Sequence, residues 1–183
     1  GLPTAEIRRR VGETASYFGI QDWYHRDTDR LSGGQKQLLN LASVMVMNPR
    51  VLLLDEPTGQ LDPIAAADFI ATLQKLNREF GLTILLAEHR LEDVFPIADR
   101  VLVLDPEREP VWDTPRAVCQ ALRGRPMALG LPSASRIWTG LSAPVPCPLT
   151  VREGREFLEE NFSIRKGTLV PEKTPPRTEP ALE

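Results

Sequence analysis

Apolar side chains recur at helical spacing in three stretches of the first half of the chain, residues 4–19, 33–47 and 62–81. Each stretch places these side chains three or four residues apart, which is the pattern of a helix with one buried face. The third begins with Asp-Pro and ends with Gly, the residue types favoured at a helix start and a helix end. We therefore predict three amphipathic helices.

Short apolar runs without alternation lie between and after these helices. They are Val51 to Leu54, Thr83 to Ala87 and Val101 to Leu104. Such a run is typical of a strand covered on both faces, as in a parallel sheet. With a short helix or turn over Leu91 to Ile97, the order strand, helix, strand, helix, strand predicts one α/β sheet with right-handed crossovers.

The second half of the chain is less regular. Many of the 17 prolines lie after Asp105, and the apolar pattern fades from about Gly124. Small helices are predicted over Pro115 to Arg123 and over Val151 to Asn161. Residues 168–183 combine proline and charge with almost no core residues, which predicts disorder.

Composition narrows the function classes. The 183 residues, 42% of them apolar, suffice for one folded domain, and the net charge of −3 argues against a general nucleic-acid binder. The apolar runs are too short to cross a bilayer, so a membrane would be reached through a partner. Cys119 and Cys147 have no metal-binding spacing, which favours inert thiols.

Two groups of residues can carry chemistry. The first is the sequence LSGGQ at Leu31 to Gln35, where Ser32 is a good N-cap. The glycines let the backbone lie close to a ligand, and the free N–H groups of the helix start favour an anion such as phosphate. A loop that merely caps a helix is the simpler alternative.

The second group follows the predicted strands. Asp55 and Glu56 come directly after one strand, and His89 ends the next. Such an acidic pair can hold Mg²⁺ through water and polarise a nucleophilic water. Parallel strands end at the same edge, so the three side chains are expected near one another. Two solvated acids and a structural histidine are the alternative.

Taken together, these segments resemble the motifs of ATP-binding cassette (ABC) ATPases. Leu31 to Gln35 is similar to the signature motif, and Leu52 to Glu56 to the Walker B strand with its catalytic glutamate. Gly59 to Asp62 resembles the D-loop, and Glu88-His89 the switch histidine. The segment from Leu86 to Leu104 further resembles ATPases of energy-coupling-factor importers, which take up vitamins or transition-metal ions.

The resemblance implies a role for each matched residue. Asp55 would bind the Mg²⁺ of ATP through water, Glu56 would be the general base, and His89 would contact the γ-phosphate and position the attacking water. The residues implied in nucleotide binding and in signalling across the dimer are Ser32, Gly33, Gly34, Gln35 and Asp62. ATP and Mg²⁺ are the implied cofactors. A second ABC ATPase domain and transmembrane transporter subunits are the implied partners, at the cytoplasmic face of the membrane.

One family motif is missing. An ABC ATPase needs a Gly-x-x-x-x-Gly-Lys-Ser/Thr loop, whose amides and lysine hold the phosphates, and the sequence contains none. We therefore interpret the chain as a carboxyl-terminal fragment, inactive alone, of a P-loop NTPase sheet of mostly parallel strands with helices on both faces. Residues 1–50 would belong to the helical subdomain, 51–124 to the ATPase core, and 125–183 to an irregular tail or linker.

The leading hypothesis is an importer ATPase subunit that couples hydrolysis to uptake of a metal ion or vitamin. One alternative is a soluble ABC ATPase of DNA repair or translation, although the chain lacks the basic, zinc or coiled-coil insertions that such relatives often carry. Another is a non-enzymatic module whose signature helix completes the ATP site of another subunit.

Overall fold

The computed structural model describes residues 1–141 and 145–162. Its helices are α1 (Thr4–Phe18), α2 (Gly33–Met45), α3 (Pro63–Phe80), α4 (Leu91–Val94), α5 (Pro115–Leu122), α6 (Ser133–Gly140) and α7 (Val151–Asn161). Its strands are β1 (Val51–Asp55), β2 (Thr83–Ala87), β3 (Val101–Val103) and β4 (Val111–Asp113). Within these residues, no helix combines the length and apolarity that a membrane crossing requires.

The three predicted helices of the first half are confirmed. Helix α3 shows why the sequence specifies them so closely. An Asp62 carboxylate oxygen accepts hydrogen bonds from the backbone N–H groups of Ile64 (3.0 Å) and Ala65 (2.9 Å), and Gly81 ends the helix with a φ of 62°. Only a residue without a Cβ adopts that backbone angle at little cost.

Strands β1 and β2 form a parallel pair in which Leu53 lies beside Leu85. On one face of the pair, Leu52 packs with the buried face of α3, including Phe69 and Leu73. The other face is open: Leu53 is 75% exposed and Leu85 47%. The prediction of a strand covered on both faces is therefore wrong for the described residues. The apolar run would need a second layer of side chains on this face, and the described residues do not supply one.

The third predicted strand forms, but it does not extend the β1–β2 pair. Strand β3 pairs antiparallel with β4, with Leu102 beside Trp112, in a separate two-stranded sheet. Strand β4 was not predicted, because it has only three residues and lies among prolines and charged residues. The α/β fold class stands, while the single sheet expected from the strand order is divided into two pairs.

The elements from β3 to α7, here called the C-terminal unit, share a core of their own. Its centre holds Val118 and Cys119 of α5, Trp138 of α6 and Phe157 of α7, all buried. In the expected irregular tail from residue 125, the helix predicted over Val151 to Asn161 forms as α7. A 3₁₀ turn (Pro126–Gly130) and α6 were not predicted, so the described part of this segment is more regular than expected. The expected disorder of residues 168–183 lies outside the described residues.

Cys119 and Cys147, which the sequence analysis interpreted as inert thiols, lie in that same core. Contact with the Cys147 thiol lowers the pKa of the Cys119 thiol, against the effect of burial, and the pKa of Cys147 is correspondingly raised. The chain between them folds back so that α5 and the segment before α7 meet. Sequence spacing alone carried no signal of this contact.

Candidate nucleotide-binding site

Helix α2 begins with a capping box. The Ser32 hydroxyl oxygen accepts the backbone N–H of Gln35 at 3.2 Å, and the Gln35 side-chain oxygen accepts the backbone N–H of Ser32 at 2.9 Å. The hydroxyl oxygen acts here as an acceptor, so its own hydrogen remains able to donate. The first amides of a helix have no partner within the helix, which leaves the N–H groups of Gly33 and Gly34 pointing outward from this end.

The two glycines also bring this helix start against the loop before α3. A Cβ on Gly34 would lie 3.0 Å from the Cβ of Ala65, and one on Gly33 would lie 3.8 Å from the Gln60 carbonyl oxygen. The absent side chain of Gly34 is therefore used for close packing as well as for access to a ligand. Sequence reasoning considered only the second use. The LSGGQ segment thus packs closely on Ala65 of α3, with Gln60 and Leu61 of the Gly59–Asp62 segment nearby.

Asp55 is the last residue of β1, one residue beyond the predicted end of the strand, and Glu56 follows it directly. The backbones of these two residues take different courses. Asp55 is the last residue paired with β2, opposite Ala87. Glu56 has a φ of 43°, in the left-handed region, and its N–H still donates to the Ala87 carbonyl at 2.9 Å. A non-glycine residue there costs about 1–3 kcal/mol, and such residues cluster at functional sites. The turn separates the two carboxylates, so each can take a different task.

Glu56 and His89 meet across the ends of β1 and β2. The His89 Nε2 atom lies 2.8 Å from a Glu56 carboxylate oxygen. Both side chains are open to solvent, His89 to 83% and Glu56 to 53%. The expectation that parallel strand ends would bring the predicted acid and histidine together is met by this contact, and an incoming ligand can reach both groups.

A second contact joins the same two strand ends and was not singled out from the sequence. Thr58, which is buried, donates to one Glu88 carboxylate oxygen through both its hydroxyl (2.6 Å) and its backbone N–H (3.1 Å). The bonds tie the turn after Glu56 to the residue before His89. The only sequence signal was the position of Glu88 beside the histidine, which did not indicate a partner.

Asp62 lies at the far end of the loop that starts at Glu56. Its carboxylate caps α3, so one oxygen is committed to structure, while the residue itself is exposed. The loop runs from the Glu56–His89 pair, past Gly59, whose N–H donates to the Glu56 carbonyl at 3.1 Å, to the contact with the start of α2. The predicted site residues thus follow one continuous path along the molecule.

The acidic side chains of the site can be compared with the ligands that Mg²⁺ requires. Among the described residues, no three acidic, histidine or cysteine side chains converge as a complete metal cage. Mg²⁺ bound with nucleotide needs only one or two carboxylates and otherwise takes waters and phosphate oxygens. Asp55, exposed at the strand end beside Glu56, fits that limited demand.

Comparison with known proteins agrees with this geometry. The family model described as ABC transporter matches residues 4–59. A putative ABC transporter ATP-binding protein of Bacillus anthracis is 42% identical over 168 residues, covering 90% of this chain and 30% of the relative. The energy-coupling factor transporter ATP-binding protein EcfA1 of Symbiobacterium thermophilum is 41% identical, covering 87% of this chain and 56% of the relative.

Solved structures lead to the same family. CbiO1 from Clostridium perfringens, described as part of the ABC transporter complex cbiONQ, superposes with a TM-score of 0.58 at 34% identity, covering 71% of this chain and 54% of that one. An ATP-binding cassette in its ADP conformation superposes with a TM-score of 0.51 at 28% identity, covering 54% and 39% of the two chains. This chain therefore spans only part of the length of its relatives. The chain belongs to the ABC transporter family of ATP-binding proteins.

Proposed function

We propose that this chain supplies the signature helix, the Walker B strand and the switch histidine of an ATP-hydrolysing domain. The observation that carries the proposal is the Glu56–His89 contact at the carboxyl ends of β1 and β2. An acid within 2.8 Å of an imidazole, both open to solvent, can position and deprotonate a water. The similarity to ABC transporter ATP-binding proteins supports the γ-phosphate of ATP as the target of that water.

The local chemistry assigns each residue a task. Glu56 takes the proton of the attacking water, a contribution typically worth about 10²–10⁴-fold in rate. His89, held beside it, donates toward the γ-phosphate and orients the water. Asp55 would hold the Mg²⁺ of ATP through water, and the ion would supply positive charge beside the phosphates.

The start of α2 faces a different phosphate. The Ser32 hydroxyl and the N–H groups of Gly33 and Gly34 present donors at the positive end of a helix, which suits the γ-phosphate of ATP held by a second ABC domain. Gln35 supports this end through the capping box. Asp62, in the loop that touches α2, is proposed to couple the two sites across such a dimer.

The chain needs a further segment to hydrolyse ATP, because it carries no phosphate-binding loop. The open face of β1–β2 supports this requirement. Leu53 and Leu85 form an apolar surface that water covers in the chain alone. We propose that a segment carrying the Gly-x-x-x-x-Gly-Lys-Ser/Thr loop packs on this face and completes the ATP site.

The biological setting follows from the relatives. One is named as an energy-coupling factor transporter ATP-binding protein, and a structural neighbour is described as part of a transporter complex. On this basis we propose that the protein associates with transmembrane subunits at the cytoplasmic face of the membrane. There it would power uptake of a metal ion or a vitamin.

Calorimetry with Mg-ATP tests the proposal. The chain is titrated alone and after mixing with an amino-terminal ABC segment that carries the phosphate loop. We expect no binding by the chain alone, binding on mixing, and slow hydrolysis that Glu56→Gln abolishes while ATP stays bound. Tight binding by the chain alone, or unchanged turnover in Glu56→Gln, would contradict the assignment.

A matched pair of variants separates folding from completion of the site. Leu53→Lys changes an exposed side chain, so the chain should remain folded while binding on mixing is lost. Ile64→Lys changes a residue that is 77% exposed on α3 and should leave binding intact. Equal effects of the two variants would show that the open face of β1–β2 is not the completion surface.

A further inference from the structure

Two glutamates flank His89 in the sequence, Glu88 before it and Glu92 after it, and the carboxylate of each is hydrogen-bonded to another part of the chain. Before it, Glu88 accepts two hydrogen bonds from Thr58, which ties this side of the histidine to the turn after Glu56. The His89 side chain itself is 83% exposed and lies against Glu56. Its position therefore depends on how the backbone is held on both sides.

After the histidine, Glu92 makes the corresponding contact with a distant part of the chain. One Glu92 carboxylate oxygen accepts the backbone N–H of Ser133 at 2.8 Å and its hydroxyl at 2.6 Å, across 41 residues. Ser133 is the first residue of α6, and the preceding Pro132 offers no side-chain cap. Glu92 thus caps α6 from outside, where a negative charge is favoured by the helix dipole.

The packing of α4 reinforces this connection. Leu91 of α4 and Phe95, which directly follows the helix, pack into the core of the C-terminal unit, whereas Val94 packs against the core formed by α3 and β1. The short α4 therefore lies between two hydrophobic cores. It begins two residues after His89, so a displacement of α4 is passed to the histidine through a single intervening residue.

We propose that Glu92 is a positioning residue, which holds His89 against Glu56 by attaching α4 to the C-terminal unit at Ser133. The catalytic meaning of this contact rests on the function proposed above, whereas the contact itself does not. The C-terminal unit, which contains none of the family motifs, then sets the distance between the proposed base and the switch histidine. A partner that shifts α6 would shift His89.

Histidine NMR tests the proposal on the full 183-residue chain, which contains two histidines. A His25→Gln variant assigns the two imidazole Cε1–H signals, and Glu56→Gln defines how the His89 signal moves when its partner is changed. In Glu92→Ala we expect the His89 signal to move from its wild-type position and broaden. The His25 signal should stay in place and provides an internal control.

Conservative and neighbouring variants separate positioning from general destabilisation. Glu92→Gln keeps an acceptor oxygen and should restore most of the wild-type His89 signal, and Ser133→Ala, which keeps its N–H, should give a partial shift. Asp93→Ala, an exposed acid in the same turn, should change neither signal. A wild-type His89 signal in folded Glu92→Ala, or an equal shift in Asp93→Ala, would overturn the proposal.

A kinetic arm uses the protein completed with its phosphate-loop segment. Glu92→Ala should lower kcat by up to roughly 100-fold, as expected for a misplaced catalytic group, with KM for ATP unchanged. A KM change alone would indicate a binding effect and count against positioning. Absence of hydrolysis in the wild-type protein, together with an intact NMR response, would instead contradict the proposed function and leave the Glu92 contact standing.

Discussion

The motif region, residues 1–97, and the C-terminal unit bury their apolar side chains differently. In the motif region, one face of β1–β2 packs on α3 while Leu53 on the other face is 75% exposed. The C-terminal unit encloses Val118, Cys119 and Trp138 almost completely. The C-terminal unit also has an open sheet face, where Leu102 is 48% and Trp112 60% exposed, but only in the motif region does the open face belong to strands that end at family motifs.

This difference shows how the two regions relate to their surroundings. The open apolar face lies on the strands that end at Glu56 and His89, and exposed apolar patches can mark interaction sites, which supports the proposed completion by a further segment. The core of the C-terminal unit around Trp138 is buried within that unit and does not depend on such an addition. The C-terminal unit can therefore serve as a stable support, to which α4 and, through it, His89 are attached.

The largest expected effect tests whether the C-terminal unit depends on its own core. Trp138 is buried, its ring N–H donates to the Val145 carbonyl at 2.9 Å, and the Arg123 guanidinium lies 4.4 Å from its ring. Trp138→Ala should lower the free energy of unfolding by about 3–5 kcal/mol. The exposed Trp112→Ala should change it by less than about 0.5 kcal/mol. Urea titration followed by circular dichroism measures both, and similar costs would contradict the contrast.

The next effect concerns the crossing of α6 and α7. A Cβ added at Gly154 would lie 2.8 Å from the Cβ of Ala134, a distance that requires the two helices to move apart. Gly154→Ala should cost about 1–3 kcal/mol in the free energy of unfolding. Gly140 has open space around it, so Gly140→Ala should be neutral or slightly stabilising. Equal thermal midpoints for the two variants would show that the helices are not in close contact.

A smaller effect is expected at the start of α2 in the motif region. Ser32→Ala removes the hydroxyl that accepts the Gln35 N–H and should cost about 1 kcal/mol. Ser43→Ala makes the same change within the same helix but leaves the cap intact, and alanine favours a helix interior. Denaturant midpoints should fall for the first variant only. A loss of ATP binding in the completed protein that exceeds this stability cost would support the phosphate role of Ser32.

The smallest effect is a pH dependence at the contact between α1 and α3. Burial, together with the hydrogen bond to Glu79, raises the pKa of Tyr17 to about 12. The stability from the neutral hydroxyl is present below about pH 10 and is lost as the pH rises through 12. Tyr17→Phe should therefore flatten the fall in urea midpoint between pH 10 and 12. Ultraviolet absorbance of the tyrosinate should show earlier ionisation in Glu79→Gln; an unchanged titration there would contradict the assigned cause.

The helices of the motif region could be predicted because their signals are local. The start and the end of α3 are indicated by single residue types, the aspartate at its N-cap (Asp62) and the glycine at its C-cap (Gly81). Helix α6 escaped prediction for the opposite reason: its cap is Glu92, which is 41 residues away in sequence. Strand β4 has too few residues for any periodicity to appear.

The candidate site likewise combines features that the sequence predicted with contacts that only the structure shows. The chemical identity of Asp55, Glu56 and His89, and their placement at strand ends, followed from the sequence. The contact between Thr58 and Glu88 did not, because it joins the turn after β1 to the residue that follows β2, and neither residue type indicates its partner. Nor did the packing of Gly34 on Ala65, since the sequence does not show which helix lies opposite a glycine.

The sequence by itself determined the three helices of the motif region, the first two strands, the family and the identity of the chemical groups, because capping and periodicity act between neighbouring residues and the motifs are short local patterns. Only the tertiary structure decided that β3 pairs with β4, that one face of β1–β2 stays open, and that Glu92 joins the histidine segment to α6. These outcomes depend on which surfaces meet after the chain has folded back on itself, and contacts between distant residues leave no local pattern from which that choice can be derived.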